Sequence, residues 1–192
     1  HEVQETSSRK RKAELQALQA QINPHFLYNT LDCIKSIACV EDNQDIVQLT
    51  TALSEFFRIS LNKGAEMLPL RRELDHVRSY CAIQKFRSNT AFELSFDVPD
   101  ELLERTVIKL ILQPLVENSI VHGFRQKKSA GHIQISARAE GRYLHIWVCD
   151  DGTGADIEYL NGLLSGEYKA APGKNNAYGI INVDERLRLT FG

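Results

Sequence analysis

His25 stands in the string Gln21-Ile22-Asn23-Pro24-His25-Phe26-Leu27-Tyr28-Asn29. Leu15, Leu18, Ile22 and Phe26 recur at steps of three and four, which places them on one helix face. His25 then lies about 60° from the Ile22 stripe, at its edge and able to reach solvent. Asn29, four residues on, sits directly above it. An imidazole titrates near neutrality and can attack a phosphoryl group while neutral, so a histidine at this rim is a candidate nucleophile. A lone histidine is equally at home packed or solvated, and the other strings must decide.

Three further stretches carry matching chemistry. In Leu112 to Gly123 (LQPLVENSIVHG), the Asn118 amide on a helix could ligate Mg2+ through its carbonyl, and His122, one turn later, could approach a phosphate. In Val148 to Gly154 (VCDDGTG), an apolar strand delivers Asp150 into a glycine-rich turn. A carboxylate there can accept an exocyclic amine, and Gly152 and Gly154 permit close ligand approach. In Tyr178 to Val183 (YGIINV), Gly179 ends a loop and opens a helix, whose first N–H groups suit a phosphate. Singly, each is weak: Asp-Gly is an ordinary turn, and Asn118 alone reads as a helix-surface amide.

These residues need elements to hold them. The stripe around His25 predicts a helix in which Pro24 introduces a kink or a lost hydrogen bond. Residues 41–45 read as a loop. A second amphipathic run from Ile46 to Leu61 stops near Asn62-Lys63-Gly64, so residues 1–64 form a helical hairpin. Its apolar faces are too wide to bury alone, which calls for a second copy and a four-helix bundle. The tract Arg9-Lys10-Arg11-Lys12 reads as a solvated face, or as a segment just inside an anionic membrane surface. Residues 65–192 form the other domain. They comprise a helix over 71–87, a strand over 91–98, a helix over 108–123 with Leu110, Leu112, Leu115 and Val116 inward, strands at 133–137 and 144–148, and a helix over 178–189. Residues 151–177 lack periodicity and read as a long loop. A hinge is expected between Lys63 and Pro69. His76, His132 and His145 have no ligand-spaced partners and read as surface or strand-face residues; Trp147 reads as core.

Composition removes several classes. Of 192 residues, 43% are hydrophobic, so the chain is not wholly disordered. No apolar run approaches the roughly 18 residues that cross a bilayer. A net charge of −2 makes no electrostatic case for nucleic acid. Cys33, Cys39, Cys81 and Cys149 have no metal or disulfide-framework spacing and read as reduced intracellular thiols. The chain opens on His1 without a signal peptide and reads as part of something longer.

In order and spacing, the strings together resemble the sensor histidine kinases of two-component systems, specifically the LytS/YesM-like branch. Carrying the resemblance are Q-I-N-P-H-F-L-Y-N-x-L at Gln21 to Leu31, Q-P-L-V-E-N-x-I-x-H-G at Gln113 to Gly123, and N-V-x-E-R-L-x-L at Asn182 to Leu189. The likeness spans nearly the whole chain. It implies an α+β fold, with a dimerising hairpin followed by a Bergerat-type α/β sandwich (GHKL), as in gyrase and MutL. It implies that His25 is the phosphoacceptor, that Asn118 ligates the Mg2+ bridging ATP phosphates with Glu117 as companion, and that Asp150 takes the adenine amine. Gly152 and Gly154 complete that turn, Gly179 lies by the phosphates, and residues 155–177 form an ATP lid. By analogy, Asn29 orients a water in a phosphatase reaction. The implied activity is ATP-dependent autophosphorylation of His25 and transfer to an aspartate of a response-regulator receiver domain. The implied setting is a homodimer forming the cytoplasmic portion of a membrane-anchored bacterial sensor, whose sensing region lies N-terminal to these residues.

Departures from the family pattern sharpen the expectations. Related chains often carry Lys three residues after the Asn, where Val121 stands, so phosphate contact passes to His122 or to Arg125, Lys127 and Lys128. Ala177 replaces the first glycine of the Gly-x-Gly before the last helix, and Phe26 replaces the acidic residue that often follows the phosphorylated histidine. The family continues into further strands past the position of Gly192, so the sandwich is expected to be incomplete. Hydrolysing relatives place a carboxylate base four residues before the Asn; Pro114 stands there and cannot activate water. A nucleotide-binding pseudokinase or a phosphatase-biased regulatory module remains the alternative.

Overall fold

The computed structural model describes residues 23–61, 66–88, 91–125, 127, 129–168 and 178–192. The basic tract at 9–12, the stripe residues before 23, Lys128 and Ala177 lie outside them. The chain divides into two units, His1–Leu61 and Asn62–Gly192.

The first unit is a helical hairpin of α1 (Pro24–Val40) and α2 (Gln44–Ser60). Pro24 does not kink a continuing helix, because the described helix begins there. Asn23 is extended, and its side chain accepts the N–H groups of His25 and Phe26 at 3.1 and 3.3 Å. Proline is suited to that first position, where its missing donor is not needed. Asn43 caps α2 by accepting the Ile46 N–H at 3.2 Å, and the intervening turn takes Asp42 to φ 53°. Leu31 and Ala38 are buried on α1, and Ala52 and Ile59 on α2. The Tyr28 hydroxyl donates to the Phe57 carbonyl at 3.2 Å. Phe26, Ile34, Ile37 and Val40 stay exposed, so the two described helices do not bury all of their apolar surface.

The second unit is mixed helix and sheet. Strand β1 (Met67–Pro69) pairs antiparallel with β3 (Thr106–Ile108), so the expected hinge does not extend through 67–69. The main sheet has the order β2 (Phe92–Asp97), β4 (Gly131–Glu140), β5 (Tyr143–Asp150), with β2 parallel to β4 and β4 antiparallel to β5. Gly141 closes the β4–β5 hairpin at φ 58°, a left-handed turn position that favours glycine. Against the sheet lie α3 (Leu70–Arg87) and α4 (Leu112–Asn118), and α6 (Tyr178–Phe191) packs on α4. The core joins Ile133, Ile135 and Ala137 of β4 to Leu70, Leu74 and Val77 of α3 and Val116 of α4.

Four expectations change here. Trp147 is not core: it pairs with Ser136, between the inward Ile135 and Ala137, so strand alternation turns it outward. It is 45% exposed and stacks on His145 at 5.8 Å. His76 is not a surface residue. It shares the inward face of α3 with Glu73, Val77 and Tyr80 and is fully buried. The expected helix over 108–123 starts only at Leu112, because Thr106–Ile108 is a strand and Leu110 occupies a left-handed turn at φ 59°. The expected loop over 151–177 contains α5 (Ile157–Ser165). Asp156 caps it by accepting the Tyr159 N–H at 3.0 Å, and Gly166 ends it at φ 80°. The residues that gave that stretch its loop-like composition are mostly 169–177, which lie outside the described residues.

Candidate functional site

Helix α4 has no side-chain cap of its own. Its leading N–H groups are satisfied from α3 instead: the Glu73 carboxylate accepts those of Leu110, Ile111 and Leu112 at 2.5, 3.0 and 3.1 Å. Arg186 of α6 donates to the Leu110 carbonyl at 3.4 Å. Burial pushes the Glu73 carboxyl above the ordinary range, against the pull of those three donors and of Arg186. A second anchor joins His76 Nε2 to Gln113 Oε1 at 2.8 Å. Burial lowers the His76 pKa, partly offset by that hydrogen bond and reinforced by the Lys109 charge. Both anchors hold the helix that ends in Asn118.

Beyond Asn118 the helix widens into a π-turn over Ser119–Gly123, closed by the Phe124 N–H on the Ser119 carbonyl at 3.1 Å. The end of β5 packs on this turn. Asp150 Oδ2 accepts the Ser119 hydroxyl at 2.7 Å, and Oδ1 accepts the Gly152 N–H at 2.9 Å. The Thr153 N–H donates to the Gly123 carbonyl at 3.0 Å. A Cβ on Gly152 would stand 2.6 Å from that same carbonyl oxygen, so only glycine fits. A carboxylate has about four lone-pair directions. Asp150 thus has both oxygens fixed and still has acceptor capacity.

A cavity of about 620 Å³ opens between α4, this turn, α5 and α6. Asn118, Ser119, His122, Asp150, Asp156 and Tyr159 are among its lining residues. The Asn118 amide nitrogen is buried and has no hydrogen-bond partner among the described residues. Such a donor is costly to bury unless a ligand completes it.

The family model described as histidine kinase matches residues 13–92. The sensor histidine kinase BtsS of Escherichia coli K12 is 35% identical over 182 residues, covering 94% of this chain and 30% of that protein. The sensor protein LytS of Bacillus cereus is 34% identical over 181 residues, with the same two coverages. Over 94% of its length the chain is similar to sensor histidine kinases. It spans about a third of the length of these curated relatives. Among solved structures, the histidine kinase domain of the Erythrobacter litoralis EL346 blue-light activated histidine kinase aligns with 90% of this chain and 84% of its own, with a TM-score of 0.43 and 16% identity.

In this chain the expected residues distribute unevenly. Asn118, His122, Asp150 and Gly154 line the cavity. Glu117 beside them is exposed and is not among the lining residues. Gly152 supports Asp150 from beneath. Gly179 backs onto Pro114, where a Cβ would come within 3.2 Å of the ring, and it is Ile180 that reaches the cavity. Lys127 is engaged elsewhere: its ammonium meets Asp151 Oδ1 at 2.5 Å and the Asp151 carbonyl at 3.1 Å. That hydrogen bond, with one from the His132 N–H, lowers the Asp151 pKa. Arg125 is exposed and also outside the cavity lining, which leaves His122 as the basic side chain there among the described residues. His25 and Asn29 lie on the hairpin, both exposed, with Asn29 Nδ2 3.2 Å from His25 Nδ1. Ser119, Asp156, Tyr159 and Glu73 were not singled out from the sequence. Ser119 follows Asn118 directly, but its contact with Asp150 crosses 31 positions and no local pattern announces it.

Proposed function

We propose that the chain is the ATP-binding and phosphoacceptor portion of a protein-histidine kinase, taking the γ-phosphoryl group of ATP on His25 and passing it to an aspartate of a response regulator. The observation that carries this is the convergence of Asp150 and Asn118 on one cavity. The former is a carboxylate with a fixed rotamer and spare acceptor capacity; the latter is a buried amide with an unmet donor. The cavity volume falls within the range of small-molecule sites, roughly 300–1,000 Å³.

In this reading Asp150 accepts the adenine amino group, held in place by Ser119 and Gly152. Asn118 faces the phosphates: its carbonyl would hold Mg2+, and its amino group would donate to a phosphate oxygen. Mg2+, when bound, neutralises charge on the β- and γ-phosphate oxygens. His122 supplies a further contact to phosphate. His25 attacks in line, so that an N–P bond forms as the bond from the γ-phosphorus to the bridging oxygen breaks and ADP leaves. The exposed Phe26, Ile34, Ile37 and Val40 support association with a second copy through the hairpin. The likeness to sensor kinases supports a cytoplasmic placement below a membrane anchor; no helix among the described residues is long and apolar enough to cross a membrane.

The test is incubation of the purified chain with γ-labelled ATP and Mg2+. The expected result is an acid-labile, base-stable label that is absent from His25→Gln. Tight ATP binding with no label at all would overturn the assignment and favour a pseudokinase.

A further inference from the structure

The His25 ring has one hydrogen-bond partner among the described residues, the Asn29 amide, 3.2 Å from Nδ1 and one helical turn above it. The backbone beneath both is well fixed. Asn23 accepts the His25 and Phe26 N–H groups, and the Thr30 hydroxyl donates to the Phe26 carbonyl at 2.8 Å. Phe26, next after the histidine, is 71% exposed and apolar, and it offers the ring no polar group.

We propose that Asn29 is a positioning residue that occupies Nδ1 of His25 and so directs the phosphoryl group to Nε2, an inference that rests on the kinase reading above. A neutral imidazole has one N–H and one lone pair, and the group bonded to one nitrogen decides which it carries. With its amino group toward the ring, Asn29 donates to Nδ1. The ring proton then sits on Nε2, and neither nitrogen offers a free lone pair. An amide presents a donor and an acceptor in nearly the same place, so a half-turn about its terminal bond substitutes Oδ1 for Nδ2. Oδ1 accepts the Nδ1–H, and the Nε2 lone pair becomes free on the side of the ring away from Asn29.

In the transfer that lone pair forms the Nε2–P bond. The bond from phosphorus to the β,γ-bridging oxygen breaks, and its electron pair leaves with ADP. The ring's developing positive charge falls on an Nδ1–H already held by the amide oxygen, and that proton then passes to water. In both amide orientations Nδ1 is occupied, so Nε2 is the nitrogen open to the phosphoryl donor. Phe26 cannot do this, and Asn29 needs no charge to do it.

The test begins without nucleotide. Long-range 1H–15N spectra of the purified chain, in alkaline buffer where imidazoles are uncharged, report which His25 nitrogen carries the proton. Asn29→Ala is expected to shift the tautomer balance of His25, and Asn29→Asp, an acceptor only, to drive it toward Nδ1–H. An unchanged balance in both variants overturns the proposal, whatever the chain's activity. With ATP and Mg2+ added, the wild type and Asn29→Asp are expected to give only the Nε2-phosphohistidine. Asn29→Ala is expected to label about tenfold more slowly and to give both isomers. Wild-type rate and a single Nε2 isomer in Asn29→Ala also overturn it. A tautomer that responds to both substitutions in a chain that takes no label leaves Asn29's hold on the ring standing and removes the kinase reading instead.

Discussion

The Ser119 hydroxyl donates to Asp150 Oδ2 at 2.7 Å, joining the residue after Asn118 to the carboxylate at the end of β5. One short bond thereby sets the distance between the two sides of the cavity. Removing it by Ser119→Ala should weaken ATP binding about tenfold, the cost of losing one hydrogen bond to a charged group. Calorimetric titration with a non-hydrolysable ATP analogue measures this. Binding as tight as wild type would show that Asp150 keeps its rotamer unaided.

Gly152 and Gly154 should respond differently to alanine. A Cβ on Gly152 meets the Gly123 carbonyl oxygen at 2.6 Å and Asp150 Oδ1 at 2.7 Å, so Gly152→Ala must displace the carboxylate and should abolish measurable nucleotide affinity. Gly154 has open space around its Cβ position and only a left-handed backbone, φ 76°. Gly154→Ala should cost about 1–2 kcal/mol of stability and retain most binding. Paired thermal melts and titrations separate the two, and equal losses in both variants would contradict the packing described.

His76 should make stability fall in mild acid. Its folded pKa is lowered by burial, whereas the unfolded chain takes up the proton near pH 6.5. Below that pH the unfolded state binds more protons, so stability present above about pH 6.5 is lost as pH falls toward the folded value. His76→Gln should flatten this slope in urea melts at pH 7.5 and 5.5. Glu73, whose raised pKa acts in the opposite sense, is present in both proteins and largely cancels in the comparison.

The hairpin should associate through α1. Ile37→Asp places a charge where a 55% exposed isoleucine now stands, three residues after the exposed Ile34. Sedimentation should show a dimer for the wild type and a monomer for the variant, with unchanged helical content by circular dichroism. A wild-type monomer at micromolar concentration would remove the basis for a bundle built from two copies.

Much of the candidate site can be read from the chain in one dimension, because helix and strand periods are local. The 3.6-residue repeat places His25 at the edge of a stripe with Asn29 above it, and the strand before Asp150 ends where alternation gives way to glycines. Asp156 and Gly166 bracket α5 with recognisable cap residues, yet the polar composition around them masked a nine-residue helix. Trp147 and His76 were placed wrongly for a related reason. Residue type favours core for one and surface for the other, but each side chain points where its strand or helix face directs it.

The sequence by itself determined most of the elements, the likeness to sensor histidine kinases and most of the candidate site residues. The tertiary structure alone decided which of them meet. It brought Ser119 to Asp150 and Glu73 to the unmatched N–H groups of α4, turned Gly179 onto Pro114, and gave Lys127 to Asp151. The polar pairings among them satisfy buried or charged groups across 24 to 39 positions of chain. A polar group out of water must find whatever partner the packed fold presents, and local periodicity carries no information about that partner.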